Sequence, residues 1–194
     1  MAFYPEGIDE RFRSPANAGA GTDGVRGTSA SFVCGSFVEL SVRINIESGS
    51  ISGASFKTNG CGFMIATADA LCDWLCGKTL AELHGLHDDE LLMAVCALIG
   101  PLPRDRVQCS GVVFESLRKA MSLHREQCID EFRGETPLIC TCFGVSEESI
   151  IGTIAENGFT EVDQVAEASR AGSGCGSCRF LIQELIDMRA VGLD

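Results

Sequence analysis

The chain has 194 residues, of which 45% are hydrophobic, enough for one large domain or two small domains with cores of their own. A net charge of −12, from 15 basic and 27 acidic residues, argues against binding to nucleic acid or an anionic membrane surface and favours basic protein partners. The N-terminus has no apolar signal segment and the longest apolar run, residues 91–103, is too short to span a membrane, so we expect a cytoplasmic protein.

The first predicted element is a β-hairpin that follows a glycine-rich loop. Residues 19–27 have no apolar period and predict a flexible loop. Residues 37–48 alternate apolar and polar side chains, which predicts a strand with one buried face. That face would carry Val38, Leu40, Val42, Ile44 and Ile46. A turn at Ser48–Ser50 leads to a second, antiparallel strand over residues 51–60.

Helical periodicity replaces the alternation after Gly60. The apolar spacing predicts helices from Phe63 to near Gly77, over residues 79–84, over residues 88–99 and over residues 111–132. Strands followed by helices predict an α+β fold, an antiparallel sheet with helices packed on it, as a domain of residues 1–134.

A second domain is expected over residues 135–194. The segment Arg133–Leu138 contains Gly and Pro and predicts the boundary. Short helices after Ser146, after Thr160 and from Arg179 predict a small all-α domain. Its core is small, so we expect a metal or cluster to stabilise it.

Eleven cysteines are the chemically informative residues of this chain. An odd number in a reducing compartment is a poor disulfide framework, which leaves metal or cluster ligation and burial as alternatives. Cys140 and Cys142 form one close pair and Cys175 and Cys178 another. Four such thiols suit a tetrahedral zinc or a 2Fe–2S cluster, and the one-residue gap of the first pair favours the cluster. A dithiol redox pair at Cys175 and Cys178 lacks the expected βαβ context.

The stretches "CTCFGVSEESI" and "SGCGSC" resemble the bacterioferritin-associated ferredoxin type of 2Fe–2S domain, over residues 138–188. The resemblance implies a permanent, redox-active 2Fe–2S centre held by Cys140, Cys142, Cys175 and Cys178.

Three further cysteines lie at the ends of predicted elements. Cys34 precedes the first strand, Cys61 precedes the first long helix, and Cys109 opens the longest helix. Such junctions let side chains converge, and a helix N-terminus favours thiolate at Cys61 and Cys109. The alternative is that the three are unrelated small core residues.

The stretches "RFRSPANAG", "FKTNGCGFMIATADAL" and "QCS" resemble the NifU/IscU type of iron–sulfur cluster assembly scaffold, over residues 12–132. The domain order is similar to the first two domains of NifU, and we expect the third NifU domain to be lacking. The resemblance implies a non-enzymatic scaffold that builds a labile 2Fe–2S cluster on Cys34, Cys61 and Cys109 and transfers it to apo iron–sulfur proteins. A cysteine desulfurase would deliver sulfur as persulfide, onto Cys109.

Two positions depart from the family pattern. Ser36 replaces an Asp and Gln108 replaces the His of many relatives, so these two are the candidate fourth ligands. A neutral Ser36 is expected to bind metal more weakly than a carboxylate, and zinc is an alternative occupant. An electron donor and, from the partly similar "LPRDR", an Hsp70-type chaperone are candidate partners, and a homodimer is a candidate assembly.

A different class of function also fits the pattern: an electron-transfer ferredoxin with a zinc-binding docking domain. The remaining cysteines and the three histidines are expected to be packing or surface residues, although two of the cysteines, four residues apart on one predicted helix, could share a metal. They are Cys72, Cys76, Cys96, Cys128, His84, His87 and His124.

Overall fold

The structure is a computed structural model that describes residues 4–19, 21, 23–131 and 137–190. The chain divides into two compact units. The first contains residues up to Lys78 together with Gly85–Leu123, and the second contains Thr79–His84 together with residues from His124 onward. The predicted domain boundary between residues 134 and 135 lies outside the described residues.

The sheet of the first unit is antiparallel, in the strand order β1-β2-β3. Its strands are β1 Val25–Ala30, β2 Phe37–Asn45 and β3 Ser50–Thr58. Val38, Leu40 and Val42 on β2 are fully buried, as the alternation predicts. The predicted antiparallel sheet is therefore confirmed.

The prediction for Ile46 is wrong. The register shifts between Arg43 and Ile44, and β2 ends at Asn45. The Asn45 side chain accepts from the backbone N–H of Glu47 at 2.8 Å and so starts the turn. Ile46 consequently lies in the turn with 68% of its surface exposed.

Strand β1 was not expected, because the glycine-rich composition of residues 19–27 indicates a loop. Residues Val25–Gly27 belong to β1, where Val25 and Gly27 pair with Val42 and Leu40. A Cβ on Gly27 would lie 1.9 Å from the Ser116 carbonyl oxygen, so the strand requires glycine where a helix backbone crosses it.

The helices confirm the predicted α+β class, although some of their boundaries differ from the predicted ones. They are α1 Glu6–Arg13, α2 Gly62–Leu75, α3 Leu80–Leu83, α4 Asp88–Ile99 and α5 Val107–Glu131. Helix α1 was not predicted. Helix α5 begins four residues earlier than the predicted start at Gly111, so Gln108 and Cys109 lie within its first turn.

A polar network fixes α1 and the following loop to α2, which is buried on nearly all sides. Arg11 Nη1 donates to Asp69 Oδ2 at 2.6 Å and to Asp73 Oδ2 at 2.7 Å. Asn17 donates its backbone N–H to Asp69 Oδ1 at 2.8 Å and its side-chain amide to Asp73 Oδ1 at 2.8 Å. Asp69 is buried, so these donors compensate its desolvation.

The C-terminal region is helical, as predicted, with one addition. A two-stranded antiparallel ladder precedes its helices, so the region is not purely helical. Its elements are β4 Leu138–Cys140, β5 Val145–Ser146, α6 Glu147–Asn157, α7 Val162–Ser169 and α8 Arg179–Ala190. Ser146 caps α6 by accepting from Ser149 N at 3.2 Å. The ladder places Cys140 at the end of β4 and Cys142 within the turn that connects β4 to β5.

Within the described residues, no helix combines the length and apolar character that a membrane crossing needs.

Candidate metal centres

The three N-terminal cysteines line one cavity of about 180 Å³. Cys34 lies in the loop between β1 and β2, Cys61 is the N-cap of α2, and Cys109 lies in the first turn of α5. The Sγ atoms of Cys61 and Cys109 are 3.9 Å apart. The β1–β2 loop and two helix N-termini therefore converge on the same space.

Cys34 is exposed and lies in a polar setting. Hydrogen bonds from the Ser31 and Ser36 hydroxyls and from the Ser36 backbone N–H lower the pKa of Cys34 to about 7. The Cys34 Sγ and Ser36 Oγ atoms are 3.3 Å apart. A thiolate is the form that binds a metal, so this loop favours ligation.

The position of Cys109 at a helix N-terminus predicts a lowered thiol pKa, but the structure gives a raised one. Burial raises the pKa of Cys109 to about 11, the neighbouring Cys61 thiol contributes in the same direction, and Arg106 opposes them. Only 6% of Cys109 is exposed. Desolvation therefore outweighs the helix dipole at this position.

Arg106 is a site residue that the sequence interpretation missed. Its side chain lines the cavity and its guanidinium lies 5.7 Å from the centroid of the Phe63 ring. Arg106 precedes Cys109 by three residues, a spacing at which consecutive helical turns face the same side. A cation here can balance the negative charge of bound thiolates and sulfides.

Both candidate fourth ligands, Ser36 and Gln108, line this cavity. Among the residues that the structure describes, no group of three or more His, Cys, Asp or Glu side chains is arranged around a single-ion position. The fourth-ligand assignment to Ser36 or Gln108 stays a prediction.

The second set of cysteines lies in the core of the C-terminal region. Cys140 is 2% exposed, Cys142 is 6% exposed and Cys178 is 5% exposed, while Cys175 is partly buried. Thiol hydrogen bonds connect them in the order Cys178, Cys140, Cys142, Cys175. The two sequence pairs thus form one contiguous group of four sulfur atoms.

Proton sharing sets the direction of the pKa shifts in this group. Hydrogen bonds from the Cys142 and Cys178 thiols lower the pKa of Cys140, and backbone N–H groups of Gly172 and Phe143 assist. The same thiol bonds raise the pKa of Cys142 and of Cys178.

Glycine shapes the loop that carries the second pair. A Cβ on Gly174 would lie 2.8 Å from Cys142 Cβ and 3.2 Å from its Sγ. Gly172 and Gly176 have φ of +88° and +76°, a conformation that favours glycine. Four thiols with backbone N–H donors aimed at them are a donor set that fits a 2Fe–2S cluster.

The C-terminal end of α5 contributes neighbours to this second set. Cys128 Sγ donates to the Cys142 carbonyl oxygen at 3.6 Å, and His124 Nε2 lies 3.8 Å from Cys128 Sγ. Burial opposes ionisation of Cys175, but hydrogen bonds from Ser177 and from the Cys142 thiol lower its pKa, with a smaller electrostatic contribution from Arg125. Cys128, expected to be a core residue, is therefore a neighbour of the cysteine group. No spacing in the sequence indicated it.

Two family models match the chain. The NifU-like N-terminal domain matches residues 3–130, and the BFD-like [2Fe-2S] binding domain matches residues 138–188. The first match covers more than half of the chain and includes Cys34, Cys61 and Cys109. The second includes all four C-terminal cysteines.

Full-length relatives and a solved structure agree with these matches. The nitrogen fixation protein NifU of Nostoc sp. is 32% identical over 192 residues, which cover 94% of this chain and 63% of the relative. The iron–sulfur cluster assembly scaffold protein IscU 1 of Archaeoglobus fulgidus is 31% identical over 120 residues, covering 61% of this chain and 74% of the relative. The chain thus spans under two thirds of the NifU relative. A NifU-like N-terminal structure from Brucella abortus is similar in fold, with a TM-score of 0.50 and 17% identity over 64% of this chain and 95% of that one.

Proposed function

Because the chain belongs to the NifU-like family, we propose that it is a scaffold that assembles a labile 2Fe–2S cluster and transfers it to apo iron–sulfur proteins. The observation that carries the proposal is the cavity lined by Cys34, Cys61 and Cys109 beside Arg106. The cluster is the cargo of this site, and no small substrate is turned over.

The chemistry of the cavity suits temporary binding. Cys34 and Cys61 are exposed, so a cluster held there stays within reach of an acceptor protein. Arg106 compensates part of the cluster's charge, and the neutral Ser36 adds none. We expect weaker retention than a carboxylate at position 36 would give, with zinc as the alternative occupant.

We propose that the C-terminal cysteines hold a permanent 2Fe–2S centre. Cys140, Cys142, Cys175 and Cys178 would hold it, and when bound it supplies one-electron chemistry. The backbone N–H groups of Gly172 and Phe143 donate toward Cys140, which stabilises negative charge on its sulfur. Burial of three of the four cysteines limits access of water and chelators.

The partners follow from the same proposal. A cysteine desulfurase supplies sulfur, apo iron–sulfur proteins receive the cluster, and an electron donor reduces the C-terminal centre. An Hsp70-type chaperone and a homodimer are secondary candidates. Eleven free cysteines suit the reducing cytoplasm, where we place the protein.

A transfer assay tests the scaffold function. The full chain is loaded anaerobically with a desulfurase, iron and cysteine, then mixed with an apo 2Fe–2S ferredoxin whose spectrum reports cluster arrival. Cys34→Ser, Cys61→Ser and Cys109→Ser variants should lose transfer. The half-buried Cys96→Ser variant should keep it. Normal transfer by the three site variants would refute the scaffold assignment.

A double variant, Cys140→Ser with Cys142→Ser, tests the permanent centre. It should lose the chelator-resistant 2Fe–2S absorption and the matching signal of the reduced state. An unchanged resistant cluster in the double variant would refute the assignment of these residues.

A further inference from the structure

Arg170 has a backbone conformation that residues with a side chain rarely adopt. It is the C-cap of α7, with φ of +64° and ψ of −6°. Among residues 4–19, 21, 23–131 and 137–190 it is the only non-glycine residue with a positive φ. Helix α6 ends in the same left-handed region, with φ of +65°, but its C-cap is Gly158, which has no Cβ to clash there. A long side chain at a position that favours glycine indicates a function for that side chain.

The Arg170 side chain lies over the ring that follows the first cysteine pair. Its guanidinium carbon is 5.5 Å from the centroid of the Phe143 ring. A Cβ on Gly174 would lie 3.0 Å from a Phe143 ring atom and 3.2 Å from Cys142 Sγ, so the ring and this sulfur are close neighbours. Phe143 also packs against the core that contains the cysteines. The cation is therefore separated from the sulfur group by one aromatic ring.

The backbone of Arg170 begins the loop that carries the second cysteine pair. Its carbonyl oxygen accepts from the Ser173 backbone N–H at 3.1 Å and from the Ser173 hydroxyl at 2.7 Å. Ala171 N donates to Ser169 Oγ at 3.2 Å. Glycine at position 170 could make the same backbone bonds without strain. The shape of the loop therefore does not explain an arginine, whereas the position of its charge does.

We propose that Arg170 raises the reduction potential of the C-terminal centre by holding a positive charge over the Phe143 ring. This inference rests on the proposed permanent 2Fe–2S centre at the four C-terminal cysteines. One electron from a donor makes the centre more negative by one charge, and a nearby cation stabilises that reduced form. Arg170 itself is exposed, so dissolved salt should weaken the effect.

A spectroelectrochemical titration of the full chain measures this potential, after a chelator has removed the N-terminal cluster. Arg170→Gly keeps the left-handed backbone and removes the cation, whereas Arg170→Gln removes the cation and keeps a long side chain. Both should shift the potential in the negative direction. Arg170→Lys keeps the charge and should stay close to the potential of the unaltered chain. Iron and sulfide per chain should be the same in all of these proteins, because the backbone bonds remain.

Arg189→Gln is the matched control, because it removes the same charge from the last turn of α8. Cys178 immediately precedes α8, so about 15 Å of helix separates that turn from the cysteine group. This distance exceeds the screening length of about 10 Å at 0.1 M salt, and the potential should not change. The shift in Arg170→Gly should also shrink as ionic strength rises, which a purely structural role would not produce.

The outcomes separate this inference from the proposal on which it rests. An unchanged potential in Arg170→Gly, or an equal shift in Arg189→Gln, overturns the inference and leaves the permanent centre standing. Loss of the centre from Arg170→Gly also overturns it, because Arg170 would then be needed to form the centre and not to set its potential. An unaltered chain without a chelator-resistant 2Fe–2S absorption overturns both.

Discussion

At the residue scale, Gly174 is the most sharply constrained position of the C-terminal site. Its missing side chain leaves room for Cys142, since a Cβ would approach Cys142 Cβ to 2.8 Å. Gly174→Ala should therefore displace Cys142 and reduce cluster occupancy, measured as iron per chain and visible absorption. Gly152→Ala is the control, because nothing lies within 4 Å of a Cβ there. Full occupancy in Gly174→Ala would contradict the proposed site.

Ser36 is the residue at which this chain departs most clearly from its family pattern. Ser36→Asp places a carboxylate next to the Cys34 sulfur, where the serine oxygen lies 3.3 Å away. A carboxylate is a stronger iron ligand than a hydroxyl, so the labile cluster should survive a chelator longer. The C-terminal cluster should not change.

The control for this change is Ser48→Asp, which adds the same charge in the β2–β3 turn. Equal chelator sensitivity of the two aspartate variants would show that position 36 does not contact the cargo.

Burial of the Cys72 thiol makes the stability of the fold depend on pH. Burial raises its pKa above the ordinary value of 9.0, and Asp69 adds to the shift. Above about pH 9 the unfolded chain loses this proton while the folded chain retains it, so stability should fall by up to about 1.4 kcal/mol per pH unit.

Urea unfolding between about pH 8 and about pH 10 measures this slope. Cys72→Ala should be less stable at neutral pH but should lose this part of the slope. Identical slopes for both proteins would show that Cys72 does not titrate on unfolding.

At the element scale, the attachment of α1 to α2 depends on two aspartates of unequal burial. The Asp69 side chain is 2% exposed and that of Asp73 is 42% exposed, yet both accept from Arg11. Asp69→Ala leaves Arg11 and Asn17 without a buried partner and should lower the free energy of unfolding by about 3 kcal/mol. Asp73→Ala should cost less than about 1 kcal/mol.

Chemical denaturation followed by the fluorescence of Trp74, which lies on α2, measures both variants. Equal losses would show that burial does not decide the strength of this network.

The elements that the sequence predicted are those with strong periodicity. Helix α4 has the predicted bounds, Asp88–Ile99, because its apolar spacing and acidic first turn agree. Strand β1 was missed because its Gly27 resembles loop composition, although that glycine is required by the close approach of α5. Ile46 was misassigned because alternation continues past the point where Asn45 starts a turn.

The site residues also separate into those that a sequence pattern predicted and those that only the folded structure reveals. The spacing of the four C-terminal cysteines and the position of three others at element ends predicted two groups, and each group lies together within its own unit. Arg106 and Cys128 were not indicated, because their roles depend on contacts with residues distant in sequence or on a neighbouring loop. The thiol acidity of Cys109 was misjudged because burial depends on the packed fold.

At the scale of the whole molecule, the two cysteine groups are built differently. The N-terminal group lies at element ends around a small cavity, with two exposed thiols. The C-terminal group is part of a core that also contains Ile150, Ile154 and Ile182. A site at element ends can open to release its contents, whereas a site within a core cannot do so without local unfolding. This contrast supports the proposal of one labile and one permanent cluster.

The most direct test is anaerobic reconstitution of the full chain with a cysteine desulfurase, iron and cysteine, followed by a chelator challenge. Iron, zinc and acid-labile sulfide are counted before and after the challenge. The scaffold proposal predicts two 2Fe–2S clusters per chain, of which the chelator removes one while the C-terminal cluster remains. One resistant cluster with stoichiometric zinc at the N-terminal cysteines would contradict it, and would instead identify an electron-transfer ferredoxin with a zinc-binding docking domain.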